Sequence, residues 1–132
     1  MFGTARAFSG FSVDDLAEAR RFYGETLGLQ TSVEDEGADG GMEVLFLTLA
    51  GGARVFVYPK GDRHIPASFT ILNFVVDDVD AAVDELRAKG VETLRYPEFD
   101  QDEKGIARQA GGGPSVAWFA DPAKNVLAVL QR

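Results

Sequence analysis

Residues 9–29 and 72–91 of this chain follow one plan. The first segment reads SGFSVDDLAEARRFYGETLGL and the second LNFVVDDVDAAVDELRAKGV. Each has an apolar stretch, then Val-Asp-Asp and an apolar residue, then a helical pattern closed by glycine. Solenoids stack three or more units to bury a continuous core, so a plan present only twice points to a duplicated module. Two fused modules are expected to enclose a shared cleft, and function is sought in its lining.

The spacing predicts the same element order in each half. A strand over 5–13 leads to a helix capped by Asp14, which can accept hydrogen bonds from free N–H groups. Leu16, Ala19, Tyr23 and Leu27 recur at helical spacing, and Tyr23 on that apolar face reads as core. Gly28 ends the helix by tolerating positive φ. Strands follow over 29–35, 42–49 and 53–59, with turns at Gly37–Gly41 and Gly51-Gly52. The polar segment 60–68 reads as a connector. In the second half a strand over 69–76 precedes a helix capped by Asp77, with Val79, Ala82, Val83 and Leu86 on its apolar face and Gly90 at its end. Further strands are expected over 91–99, 115–120 and 125–131. The chain is therefore read as a single α+β domain over 1–132. Module one spans about 1–59 and module two about 69–132, each a βαβββ unit whose curved mixed sheet carries one covering helix.

Composition narrows the function classes. Thirteen basic against 21 acidic residues give a formal charge of −8, which argues against a nucleic-acid partner or an anionic membrane surface. The acidic run Glu34-Asp35-Glu36 with Asp39 reads as a solvated turn. There are no cysteines, so disulfides, zinc–thiolate sites and cysteine nucleophiles are excluded. No apolar run approaches the ~20 residues of a membrane span. The opening residues MFGTARAFSGF lack a signal peptide's basic start and continuous apolar core, so a cytoplasmic protein is expected.

The paired βαβββ order resembles a known group. So do Val13-Asp14-Asp15-Leu16, Phe22-Tyr23-Gly24, Leu27-Gly28-Leu29 and Ala120-Asp121-Pro122 followed by Asn125-Val126-Leu127. The chain resembles the vicinal oxygen chelate superfamily, which includes glyoxalase I, bleomycin-resistance proteins and extradiol dioxygenases. The resemblance spans essentially the whole chain. It implies a glyoxalase/bleomycin resistance/dioxygenase-like fold but no one activity, because a shared fold hosts many functions.

Metal-dependent members carry four ligands, one on the opening and one on the closing strand of each module. The resemblance places those positions at Phe8, Phe56, Ile71 and Ala128. None of the four carries a lone pair for a metal, and neighbours one residue away supply no good ligand either. No metal and no cofactor are therefore expected, which argues against isomerisation or ring cleavage through a bound ion.

Alternation by two puts Phe8, Gly10 and Ser12 on one face of their strand. It does the same for Arg54, Phe56 and Tyr58, for Phe69, Ile71, Asn73 and Val75, and for Val126, Ala128 and Leu130. An apolar, aromatic cleft with sparse polar groups is the usual design of a small-molecule pocket. The expected ligand-binding set is Phe8, Ser12, Arg54, Phe56, Tyr58, Ile71, Asn73 and Ala128, with Trp118 as a further wall. A filled core is the competing reading of Phe8, Phe56 and Ile71, and a structural hydrogen bond that of Asn73. His64 reads as an exposed connector residue, with a rim acid or base as the alternative. The segment 100–114 reads as a solvated loop, or as a lid presenting Lys104 or Arg108 to an anionic group. No catalytic residue is assigned. The residues favour a metal-independent small-molecule binding protein, and the resemblance to the bleomycin-resistance branch implies sequestration of a drug or metabolite and pairing as a homodimer. The alternative is a glyoxalase-like lyase or isomerase, or a dioxygenase-type enzyme, with non-standard site residues.

Overall fold

The computed structural model describes residues 1–36, 41–109 and 111–132. Most of the glycine turn expected at 37–41, Asp39 included, lies outside the described residues. The chain divides into two compact units, Met1–Ile65 and Pro66–Arg132. Among the described residues no helix is long and apolar enough to cross a membrane.

The first unit contains β1 (Ser9–Val13), α1 (Leu16–Arg20), a π-helical turn (Arg21–Thr26), β2 (Gln30–Asp35), β3 (Glu43–Thr48) and β4 (Arg54–Pro59). Its sheet runs β1-β4-β3-β2, with β1 parallel to β4 and the other neighbours antiparallel. The helix cap is Asp15, one residue later than expected. Its Oδ1 accepts the Glu18 amide at 3.1 Å, while Asp14 Oδ1 takes the amide of Asp15. Phe11, Val13, Leu45, Leu47, Val55 and Val57 are buried with Ala19, Phe22 and Tyr23 of the helical segment. The Tyr23 ring packs against Phe11 at 5.7 Å and edge-on against Phe22 at 5.2 Å, as core. Glu34 and Asp35 belong to β2 and not to a turn.

The second unit contains β5 (Thr70–Val75), α2 (Val79–Ala88), β6 (Ser115–Ala120) and β7 (Val126–Gln131), with sheet order β5-β7-β6. Here too the cap falls one residue later, on Asp78, whose Oδ1 accepts the Ala81 amide at 3.1 Å. Val79, Val83 and Leu86 of α2 are buried, as are Ala117, Phe119, Leu127 and Val129 of the sheet.

The strand expected over 91–99 is absent, leaving a single bridge between Thr93 and Phe119. Gln101 explains why. Its side chain accepts the Tyr96 amide at 2.7 Å and donates to the Leu94 carbonyl at 2.9 Å, satisfying backbone groups that a strand neighbour would otherwise pair. Pro97 follows, with no N–H to offer a ladder.

The Asp-Pro-x-x-Asn turn between β6 and β7 is a buried polar clip. Asp121 Oδ1 accepts the Asn125 amide at 2.8 Å, Asn125 Nδ2 donates to Asp121 Oδ2 at 3.1 Å, and Asn125 Oδ1 accepts the Ala67 amide at 3.0 Å. Lys124 completes the turn at φ 70°.

The loop after residue 99 is held against its own unit. Ile106 and Ala107 are buried. Asp102 Oδ1 accepts the amides of Lys104 and Ile106, both at 2.9 Å. Lys104 reaches Asp84 at 3.0 Å and Arg108 reaches Asp80 at 2.7 Å, both on α2. The two cations that a lid would present to an anion are thus already paired. Exposed ion pairs are screened by water and contribute little, so the amide bonds to Asp102 matter more.

Burial works against the Asp102 charge, but the Ile106 and Lys104 amides and the Arg108 guanidinium outweigh it, so its pKa is lowered. The hydrogen bond from Arg108 likewise lowers that of Asp80. A carboxylate with a depressed folded-state pKa contributes stability above its unfolded value, which is lost as pH falls through the folded value. The urea midpoint of the protein should therefore drop as pH is taken below about 4, the unfolded Asp range. Asp102→Asn should start lower at neutral pH and show a shallower acid dependence. An unchanged acid dependence in that variant would refute the assignment.

Candidate functional site

In the first unit, side chains that alternate away from α1 form an aromatic group. Phe8, just before β1, packs edge-on against Phe46 and Phe56, with centroids at 6.2 and 5.9 Å. Phe46 and Phe56 are directly paired across β3 and β4 and lie 5.4 Å apart. Phe56 stacks on Tyr58 at 5.3 Å and an interplanar angle of 23°. Gly10 sits opposite Phe56 across β1 and β4. A Cβ there would lie 3.1 Å from the Phe56 carbonyl oxygen and 3.3 Å from its ring, so the missing side chain leaves room for the ring. Phe8 is 67% exposed and Phe46 only 7%, so the group presents Phe8 outward over a closed floor.

Polar groups border these rings. Ser12 Oγ and His64 Nδ1 are 2.7 Å apart. His64 is half-buried on the segment after β4, not an exposed connector residue. Arg54 lies over Phe46, with its guanidinium carbon 3.9 Å from the ring centroid. The same guanidinium pairs with Glu34, which also accepts from Ser32 Oγ at 3.2 Å. A partly exposed cation–π contact contributes about 0.5–1 kcal/mol. An exposed ion pair adds a similar amount or less. Arg54 is therefore held, but weakly.

In the second unit, Asn73, Ala128 and Trp118 share one row across β5, β7 and β6. Asn73 is exposed and Ala128 buried. Trp118 is flanked by Phe99 at 4.8 Å and, edge-on, by Tyr96 at 5.3 Å. Burial, and then the nearby Glu98 charge, raises the Tyr96 pKa and keeps its phenol neutral. Ile71 does not follow the simple alternation. A register shift between Thr70 and Leu72 sets Thr70 opposite Val126 and Leu72 opposite Leu127, leaving Ile71 as the extra residue of a bulge.

A family model for the Glyoxalase/Bleomycin resistance protein/Dioxygenase superfamily matches residues 7–129. The chain belongs to this superfamily. Its fold is also that of solved members. TnmS3, an antibiotic binding protein from Streptomyces sp. CB03234, is 26% identical with a TM-score of 0.67, covering 97% of each chain. A superfamily member from Sphaerobacter thermophilus is 22% identical with a TM-score of 0.68, covering 97% of this chain and 98% of that one. The fosfomycin resistance protein FosX from Listeria monocytogenes is 14% identical with a TM-score of 0.72, covering 98% and 93%. No curated protein matches the chain.

The positions that the resemblance assigns to metal ligands are Phe8, Phe56, Ile71 and Ala128. Phe8 and Phe56 place rings against each other, and Ile71 and Ala128 supply only alkyl groups. This donor set does not fit a divalent ion. Among the described residues no three His, Asp or Glu side chains gather as a metal site.

Three aromatic residues escaped the sequence reading. Phe46 lies in the run Val44–Leu47, apolar throughout, where alternation gives no signal. Tyr96 and Phe99 bracket Pro97 in a turn that reads as strand. A groove of about 750 Å³ beside α1, lined by Leu16, Arg20, Arg21, Gly24, Leu29 and Glu43 among others, was also unforeseen. Arg21 there pairs with Glu18.

Gly10→Ala should push the Phe56 ring by a few tenths of an ångström and cost about 1–2 kcal/mol, as overpacking does. Denaturation midpoints and the aromatic NMR shifts of Phe8 and Phe56 check this. Unmoved Phe56 resonances would show that the ring does not depend on that glycine.

Proposed function

We propose that the chain is a metal-independent binding protein for a small, flat, largely apolar molecule, acting by sequestration of a drug or metabolite. The aromatic group Phe8, Phe46, Phe56 and Tyr58 on the helix-free face of the first sheet carries this reading. Stacked and edge-on rings offer a flat ligand large contact area, and sparse polar neighbours orient it. Ser12 and His64 are those neighbours in the first unit, and Arg54 covers the Phe46 ring. Asn73, with Ile71, Ala128 and Trp118, serves in the second. The likeness to the antibiotic binding protein TnmS3 supports sequestration. The hydrocarbon side chains at all four ligand positions support binding without an ion.

The functional species is a homodimer in this reading. Ile65 and Phe69 are 80% and 69% exposed, apolar surface of a kind that a second copy would cover. Light scattering giving a mass of one chain would remove that part.

Protein purified without chelators should carry less than about a tenth of an equivalent of transition metal, since donor atoms are missing at the ligand positions. Flat neutral aromatic compounds should bind equally well with and without EDTA, and be recovered unchanged. Phe56→Ala should weaken that binding about three- to tenfold, the range of one aromatic pair. Binding that requires added metal, or conversion of the bound compound, would favour the enzyme reading instead.

A further inference from the structure

We infer that Arg54 occupies a site for a cationic ligand group and competes with it. This rests on the reading that the aromatic face binds small molecules, and names the charge of what it prefers. The Phe46 ring face and the Glu34 carboxylate together form what a substituted ammonium group seeks: a π surface for its C–H rim and an anion for its charge. Arg54 fills both roles at once, 3.9 Å above the ring and paired to Glu34. The Arg54 and Glu34 side chains are 45% and 40% exposed, so the guanidinium can swing into water without unfolding the strand. Phe8 and Phe56 wall the same ring, so a ligand whose flat part lies on them would bring an attached cation to Arg54's position. A carboxylate or phosphonate ligand gains nothing there, because the charge of Arg54 is already met by Glu34. The site therefore selects neutral and cationic aromatic compounds over anionic ones, and Arg54 sets a threshold that only a cation able to replace it crosses.

Phenyltrimethylammonium and its neutral carbon isostere tert-butylbenzene test this, with affinities read by NMR titration. Arg54→Ala should bind the cation about tenfold more tightly than the unchanged protein, the scale of a freed cation–π site. Its affinity for tert-butylbenzene should change far less. Adding Glu34→Gln should abolish the gain. If Arg54→Ala fails to fold, Arg54→Gln, which keeps a polar stem, carries the same expectation. An equal gain for both probes would mean only that space was opened, and overturns the inference. So does no gain for the cation while tert-butylbenzene binds both proteins, and either result leaves the proposed binding function standing. Failure of both probes to bind either protein overturns the binding function and the inference together.

Discussion

One helix can close only one face of a sheet, and each unit of this chain has one helix on its sheet. The helix-side faces are ordinary cores: Tyr23 with Phe11 and Val13 in the first unit, Val83 with Phe119 and Leu127 in the second. Among the described residues, neither unit places a second helix on the opposite face of its own sheet. In the first unit that face is held by ring packing from Phe8 through Phe46 and Phe56 to Tyr58, with Arg54 folded over the nearly buried Phe46. A face that holds itself together through rings is also prepared for another ring.

The duplicated plan was visible because its signals are local. Val-Asp-Asp before a helical pattern and glycine after it recur in both halves, and alternation by two placed Arg54, Phe56 and Tyr58 together. What escaped was set by tertiary substitution or by a shift of phase. Gln101 takes the backbone groups of Leu94 and Tyr96, so residues with good strand propensity do not form a strand. In the first unit the cap fell on the second aspartate while the first takes the neighbouring amide with its carboxylate. Phe46 hides in a strand buried at every position from Val44 to Leu47, where no pattern separates the two faces. His64, in a connector that reads as solvent-exposed, meets Ser12 only through the parallel pairing of β1 with β4.

One of the motifs by which this chain resembles the superfamily is a structural clip. Asp121 and Asn125 are buried and bond each other and the Ala67 amide, tying the β6–β7 turn to the start of the second unit. Family resemblance is thus carried in part by a folding clip. The positions that the resemblance assigns to metal ligands, Phe8, Phe56, Ile71 and Ala128, hold hydrocarbon.

The bulge at Ile71 has a consequence for how this chain tolerates change. In a regular strand, loss of one residue rotates everything on one side of the cut to the opposite face, exchanging core for surface. Thr70 and Leu72 already face consecutive residues of β7, Val126 and Leu127. Excising Ile71 would join two residues whose partners are adjacent, and Asn73 would keep its place opposite Ala128. β5 thus carries a spare residue, and among the described strands it is one where a codon deletion would shorten the backbone without inverting it.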